Sequence, residues 1–474
     1  MSVARRVAWN TSYQALARGI GLGLALVSLV FLTRYLGVAG YGRFTTVTVY
    51  ISVFVVLFDW GIGTIVVRRL AIDSTSAAEL IGKTLTLRIL LGIATAGVAG
   101  ALAAGIYADK PEIRNGIFIA LPIIVVMAVV SALATFFQAE LRMGWMAVAE
   151  TAGQVVAVAL ILGLIAANAG FYAIIAATVA AAVVNAVLVL VFFSRRVPIR
   201  PRIDIALWRR LFMEALPLGI ALILNTIYFR LDAVLLSVLK GPHDVGIYGI
   251  AFRFSEMLTP FALYFATSMF PLLSRSSSEG RTEEIRALIQ RSFDVVVVVA
   301  LPIVLGTIVV APQIVDALAG AEFAPAATPL RIVVVGTGLA FVSTLLGYVT
   351  IALGRQKQIL WLNVVALGFN LVLNLALIPP YGYLAAAWVA TASEALIAVG
   401  LVWMTWRLTG FRPASSVPLR ALIAGGAMAG AVAAFHPNLA VAVVVGVVVY
   451  GAALVLLRVH DQLQLSHLFA RRAS

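Results

Sequence analysis

The sequence predicts an all-α integral membrane protein that crosses a bilayer about fourteen times. Three observations carry this. Of 474 residues, 62% are hydrophobic and 11% charged, against about 45–50% and about 25% in soluble domains, and the mean hydropathy is +1.06. The apolar residues lie in continuous runs of about twenty, the length an α-helix needs to span a ~30 Å hydrocarbon core, whereas barrel strands alternate over about ten residues. Lys and Arg alternate between loops: starting from the cytoplasm, 24 of the 34 fall in inner segments and at most six in outer ones, the bias that marks cytoplasmic loops.

Taken in order, the first run, 11–35, follows Arg5 and Arg6 and is too long for the ~7–15-residue core of a cleavable signal, so it is expected to remain in the mature chain. The second, 43–66, ends at Arg68 and Arg69, and the third, 84–108, begins beside Lys83. The fourth is 115–138. The fifth, 146–167, follows Arg142, and the sixth, 171–193, stops at Arg195 and Arg196. The longest inner connection, 194–211, adds Arg200, Arg202, Arg209, Arg210, Pro198 and Pro201. Spans 212–238 and 245–272 follow, then 293–317 after Arg275, Arg281, Arg286 and Arg291. The remaining runs are 329–353, 359–378, 383–406, 419–435 and 438–457, with Arg355, Lys357, Arg407, Arg412, Arg420, Arg458, Arg471 and Arg472 in inner segments. An even count places both termini in the cytoplasm and the chain in the plasma (inner) membrane. Every outer connection is short, which leaves no room for an ectodomain or a soluble catalytic domain.

An internal repeat divides the chain. Gly170 to Thr178 resembles Gly382 to Thr391, and at the same offset of 212 Gln138–Arg142 falls opposite Thr350–Gly354; Gly40-Tyr41-Gly42 likewise matches Ile247-Tyr248-Gly249. Six helices separate the copies, so the halves share orientation about an axis along the membrane normal. Two pseudo-symmetric six-helix lobes, 1–198 and 199–410, are expected, with 411–474 contributing two further helices and a cytoplasmic tail. Such halves suit alternating access, with substrate between them.

Several chemistries drop out. There is no Cys, and the four His (His243, His436, His460, His467) lack ligand spacing, so no metal or cofactor is expected. A net charge of +14 would suggest nucleic acid in a soluble chain; between apolar runs it points to membrane lipids instead. No phosphate-binding GxxxxGK loop occurs, which excludes an ATP-driven pump on this chain alone. Gly19-x-x-x-Gly23 and Gly426-x-x-x-Gly430 are close-packing signatures of low specificity.

Ionisable groups within the spans mark candidate sites, because each costs at least ~2.5–3.5 kcal/mol at the bilayer centre. Arg18 and Asp59 lie about two turns from the cytoplasmic ends of the first two helices and can pair. Arg88 lies one turn into the third, where snorkelling competes with a cavity-lining role. Arg230 and Asp232 are two apart, on different faces of the seventh helix, and each needs its own partner. Arg253 and Glu256 are three apart and read either as an ion pair or as a cavity wall. Glu394, midway along the twelfth helix, reads as a protonatable or cation-binding group. Asn363, Asn370 and Asn374 share one helical face, suited to interhelical hydrogen bonds or to substrate. All four intramembrane bases are Arg, the group that grips phosphate bidentately and keeps its charge when desolvated.

The chain resembles the polysaccharide-lipid flippases (Wzx type) of the multidrug/oligosaccharidyl-lipid/polysaccharide (MOP) exporter superfamily over nearly its whole length. The carriers are Arg34-Tyr35-Leu36-Gly37 with Tyr41-Gly42, Asp59-Trp60-Gly61 with Arg68, Ala215-Leu216-Pro217, Asp232, Val245-Gly246-Ile247-Tyr248, Gly354-Arg355, and Asn370 to Glu394 with Pro379, Gly382, Ala386, Ala387 and Thr391. Ala385 departs from the family, where a second Gly is common. The resemblance implies two lobes around a central cavity and movement of a polyprenyl-pyrophosphate-linked oligosaccharide from the inner to the outer leaflet, without catalysis. It makes Arg18, Arg88, Arg230 and Arg253, with the three Asn, candidates for substrate, and Asp59, Asp232, Glu256 and Glu394 candidates for coupling to H+ or Na+ or for gating. Other polysaccharide-assembly proteins are possible partners. A peptidoglycan-precursor (lipid II) flippase is the nearest alternative; a membrane-embedded polymerase or glycosyltransferase is the alternative of another class.

Overall fold

The computed structural model describes residues 3–72, 77–198, 201–435 and 438–459, with side chains from residue 17 onward. Arg5, Arg6, Arg200, Arg471, Arg472, His436, His460 and His467 lie outside the residues or side chains described. Among the described residues the fold is all-α: fifteen α-helices and one 3-10 helix. Thirteen helical stretches are long and apolar enough to cross a membrane. The first holds two crossings, because α1 (Val3–Leu57, 55 residues) is interrupted at Gly37, φ 63° and ψ −177°. Unbroken, such a helix would run about 80 Å, more than twice the hydrocarbon core.

Two compact units divide the chain, Met1–Gly246 and Ile247–Ser474. In the first unit the second expected span is not continuous. The chain turns at 58–61 before α2 (Ile62–Ile72), with Trp60 at φ 45° and Gly61 at φ 75°. Gly61 supplies a left-handed conformation at little cost, whereas Trp60 adopts it against steric preference. α3 (Ala77–Ile106) is followed by α4 (Pro111–Ala120) and α5 (Pro122–Ala139), one span in which Pro122 opens the second segment. α6 (Gly144–Ala166), α7 (Gly170–Ser194) and α8 (Ile205–Leu239) complete the unit, with the start of α9 (Pro242–Ser278). Ile62, Leu133, Phe137, Phe193 and Leu211 form one core; Val47, Phe54, Ile117 and Ile124 form another.

Unit one grips α8 at both ends. At its start Asp204 caps the helix, accepting from the Leu207 amide at 2.9 Å, and binds Lys83 at 2.9 Å. Lys83 holds Asp204 well below the usual carboxylate range. Trp208 donates to the Lys83 carbonyl at 2.9 Å, Trp60 packs on Phe212, and Arg68 and Arg69 both bind Glu214. At the other end Lys110 Nζ donates to the carbonyls of Ser237, Val238 and Lys240 at 2.6, 3.0 and 3.1 Å, a cation on the helix C-terminus. Beyond it, the starts of two helices touch through bare glycines: a Cβ on Gly42 would lie 1.7 Å from the Pro242 oxygen, and one on Gly246 2.2 Å from that of Val38. The Tyr41-Gly42 and Val245-Gly246 motifs are the two faces of this contact.

In the second unit, α10 (Thr282–Ala319), α11 (Ala327–Ala352) and α13 (Tyr383–Thr409) pack closely, α12 (Gln356–Tyr381) lies on α13, and α14 (Ser416–Phe435) and α15 (Leu439–Leu456) pack on each other and on α10. α12 is inverted relative to a helix of a soluble protein: Asn370 and Asn374 are buried, while Trp361, Val372 and Tyr381 are 70%, 64% and 66% exposed. Trp361 and Tyr381 stand about 30 Å apart along the axis, the spacing of two membrane interfaces. The two GxxxG signatures are not used for close packing: a Cβ at Gly19, Gly23, Gly426 or Gly430 would meet nothing within 4 Å, whereas Gly425 abuts Leu305 at 2.7 Å.

Candidate functional site

The break at 58–61 presents Asp59 to α3 and α5. Arg88 of α3, 1% exposed, donates through one terminal nitrogen to Asp59 and through the other to Ser131 Oγ at 2.6 Å. Its Nε is buried with no hydrogen-bond partner. Glycines make the room: a Cβ on Gly63 would lie 2.9 Å from Arg88 Nη2 and 3.4 Å from Asp59, and one on Gly219 of α8 2.5 Å from the Trp60 oxygen. Arg88 therefore does not snorkel; burial and a double hydrogen bond correct that reading. The carboxylate expected to meet Arg18 is bonded to Arg88, while Arg18 lies exposed on α1.

The Asp59 side chain is 28% exposed against 1% for Arg88, so the pair has an open acid and a closed base. Such a pair is neutral as a whole and holds the guanidinium in fixed orientation. Losing Asp59 leaves a desolvated guanidinium, a penalty of about 3–5 kcal/mol, whereas Asp59 without Arg88 keeps contact with solvent and loses less. The arrangement can change partners through the exposed edge of Asp59, which remains available for charge-assisted hydrogen bonds, whereas the spare donor of Arg88 is buried.

Elsewhere in unit one, Asp232 is buried at 5% exposure and Arg230 is half-buried. In unit two, Arg253 and Glu256 form an ion pair within one turn of α9 at 3.3 Å. Asn374 donates to Asn370 at 2.9 Å, and Asn370 to Ser393 Oγ at 3.1 Å, so the Asn stripe joins α12 to α13. Asn363 and Glu394 are half-buried. Among the described residues no group of three His, Asp or Glu side chains is placed to hold a metal.

Sequence reasoning missed Ser131 and Asp294. Ser131 interrupts the apolar run 122–134, the one signal available for it. Asp294 of α10 is 6% exposed and accepts from Gln290 at 2.8 Å; it precedes five consecutive Val and was legible as an acid inside a span.

Fourteen crossings with ion pairs folded between them are the build of a multi-pass membrane transporter. Solved structures with this fold include a lipid II flippase in an inward closed conformation, with a TM-score of 0.81 at 12% identity over 94% of this chain and 98% of that one. An inward-facing multidrug resistance transporter of the MATE family, in the MOP superfamily, has a TM-score of 0.69 at 16% identity over 82% of this chain and 94% of that one. The chain belongs to the polysaccharide biosynthesis protein family, whose sequence profile matches residues 7–277, more than half its length; the MatE profile matches 217–376. A curated relative, the "Probable low-salt glycan biosynthesis flippase" of Haloferax volcanii, is 28% identical over 165 residues, so the chain spans 35% of that relative's length.

Proposed function

We propose that the protein is a flippase that carries a polyprenyl-pyrophosphate-linked oligosaccharide from the cytoplasmic to the outer leaflet by alternating access, with both termini cytoplasmic. The observation that carries this is Arg88: a buried guanidinium, held by Asp59 and Ser131, with one donor still uncommitted. A diphosphate competing with Asp59 for Arg88 would meet a preoriented fork, and the released carboxylate could take a proton or Na+, which couples substrate to ion in one swap. Arg18, Arg230 and Arg253 are proposed as further phosphate contacts, and Asp232, Glu256 and Glu394 as coupling or gating acids. Asn370 and Asn374 are committed to each other and to Ser393, so we assign them to helix packing and leave Asn363 for the glycan.

The two six-helix lobes, 1–198 and 199–410, are the proposed moving bodies, with 411–474 outside the repeat. On that division α8 opens the second lobe while both its ends are bonded to segments of the first, so opening to either side requires release of one end. The glycan-flippase relative and the family membership favour a surface-polysaccharide precursor. The likeness in fold to a lipid II flippase favours lipid II as the second reading, since both substrates present the same diphosphate.

Reorientation of a labelled lipid-linked oligosaccharide between leaflets of proteoliposomes tests the assignment. Transport of the oligosaccharide carrier is expected. Movement of lipid II alone would transfer the protein to the second reading, and sugar transfer without lipid movement would refute both.

A further inference from the structure

The charges of unit one are distributed unevenly between its two ends. At the end where α7 stops and α8 begins, Arg195, Arg196, Arg202, Arg209 and Arg210 are all exposed. Glu140, exposed between α5 and α6, pairs with none of them, and the other described acids at this end are engaged elsewhere. Glu79 and Asp204 bind Lys83 at 2.7 and 2.9 Å, and Glu214 binds Arg68 and Arg69. None of the five arginines is within ion-pair distance of a described acid; Arg202 and Arg210 act on Glu79 and Asp204 only through longer-range attraction. At the opposite end Arg43 is engaged by Glu112 and Lys110 by helix carbonyls.

Apolar side chains project beside these arginines. Ile203, Ile205 and Met213 are 70%, 72% and 64% exposed, and Arg196 lies over the ring of Trp145 at 5.5 Å, itself 41% exposed. A polar connection in bulk water gains nothing from the exposed Ile203 and Ile205. At the boundary of a bilayer they enter the acyl region, and the adjacent guanidiniums stand at the depth of the phosphates. A stacked Arg with a free edge still offers two parallel donors to a phosphate oxygen pair.

We infer that the α7–α8 connection is a binding surface for anionic phospholipid, with Arg195, Arg196, Arg209 and Arg210 on the headgroup phosphates and Ile203 and Ile205 between the acyl chains. The surface is separate from the Arg88 pair, so it stands or falls independently of the transport assignment.

The test uses the full chain released from detergent in a mass spectrometer under native conditions, with phosphatidylglycerol or phosphatidylcholine added. Retention of phosphatidylglycerol over phosphatidylcholine is expected, falling roughly tenfold or more in the Arg195→Gln/Arg196→Gln/Arg209→Gln/Arg210→Gln variant. Arg275→Gln/Arg281→Gln removes two arginines already paired with Glu279 and Glu284 and is expected to retain lipid as the parent does. Glycerol phosphate at matched concentration should not displace the lipid, since the acyl contacts are part of the surface. Should the quadruple variant fail to fold, salt titration of the parent from 0.05 to 0.5 M, a range over which charge pairing is screened, replaces it. Equal retention of the two lipids, full retention in the quadruple variant or in high salt, displacement by glycerol phosphate, or equal loss in the paired-arginine control would each overturn the inference.

Discussion

Gly42→Ala is the sharpest test of how the ends of α8 and α9 are held. The added Cβ would lie 1.7 Å from the Pro242 oxygen, where real Cβ atoms keep at least 3.0 Å. The two backbones must therefore part by about 1.3 Å, and neither can rotate away as a side chain would. Overpacking of this kind costs about 1–3 kcal/mol, against which alanine returns about 1 kcal/mol of helix propensity. A net cost of about 1 kcal/mol changes the ratio of closed to open contact roughly fivefold. The chain contains no Cys, so Val245→Cys supplies a single reporter at a position that is 0% exposed. Its maleimide labelling rate is expected to rise roughly fivefold when Gly42→Ala is added. Gly241→Ala, where a Cβ meets nothing within 4 Å, is the control and should leave the rate alone. Unchanged labelling together with an unchanged melting temperature in Gly42→Ala would refute the contact.

Four further outcomes are expected. Asp59→Ala should lower stability by about 3–5 kcal/mol in chemical denaturation, because it leaves a desolvated guanidinium, and Arg88→Gln by less, because Asp59 is partly exposed; a double change that costs no less than the sum of the two would refute the pairing. Gly219→Ala, with its Cβ 2.5 Å from the Trp60 oxygen, should destabilise by about 1–3 kcal/mol, while Gly426→Ala, facing open space, should be neutral or mildly stabilising in thermal melts. Glu394→Gln and Arg230→Ala should insert normally and lose lipid flipping; wild-type rates in both would remove them from the transport path. Asp204 titrates below its ordinary value because Lys83 and the Leu207 amide favour the carboxylate, so its stabilising contribution is complete above about pH 4 and is lost as pH falls through the lowered folded value. Tryptophan emission from Trp208 should accordingly stay constant from pH 8 to 5 and change only in stronger acid, and a transition near neutral pH would contradict this.

The spans were legible because burial in lipid leaves few alternatives: a run of about twenty apolar residues must satisfy its own backbone. What the apolar pattern could not register were interruptions within runs that remain apolar. Gly37 and the 58–61 turn break helices without adding charge beyond Asp59, and both depend on φ values that a hydropathy window does not contain. Arg88 was found as an anomaly, but its burial depended on Gly63 and Ser131, residues with no ionic signature of their own. The pairing of Asp59 with Arg88 joins positions 29 apart in sequence, at a break in the helix that the apolar pattern does not mark. The motif glycines were legible as a pattern and not as a mechanism; that Gly42 and Gly246 lie on opposite sides of one backbone contact required coordinates.

The grip on both ends of α8 makes the helix a lever with a choice of fulcrum. Gly219, seated against Trp60, and Ser237, beneath Lys110, are about 27 Å apart along the axis. A swing of ten degrees about the first would carry the second by roughly 5 Å, well past the reach of any hydrogen bond, so the three Lys110 contacts would be lost together. The same swing about the far end would strip Glu214 from both arginines. A small rotation is thereby converted into release at one end, with Pro217, inside the helix between Glu214 and Gly219, the natural place for it to bend.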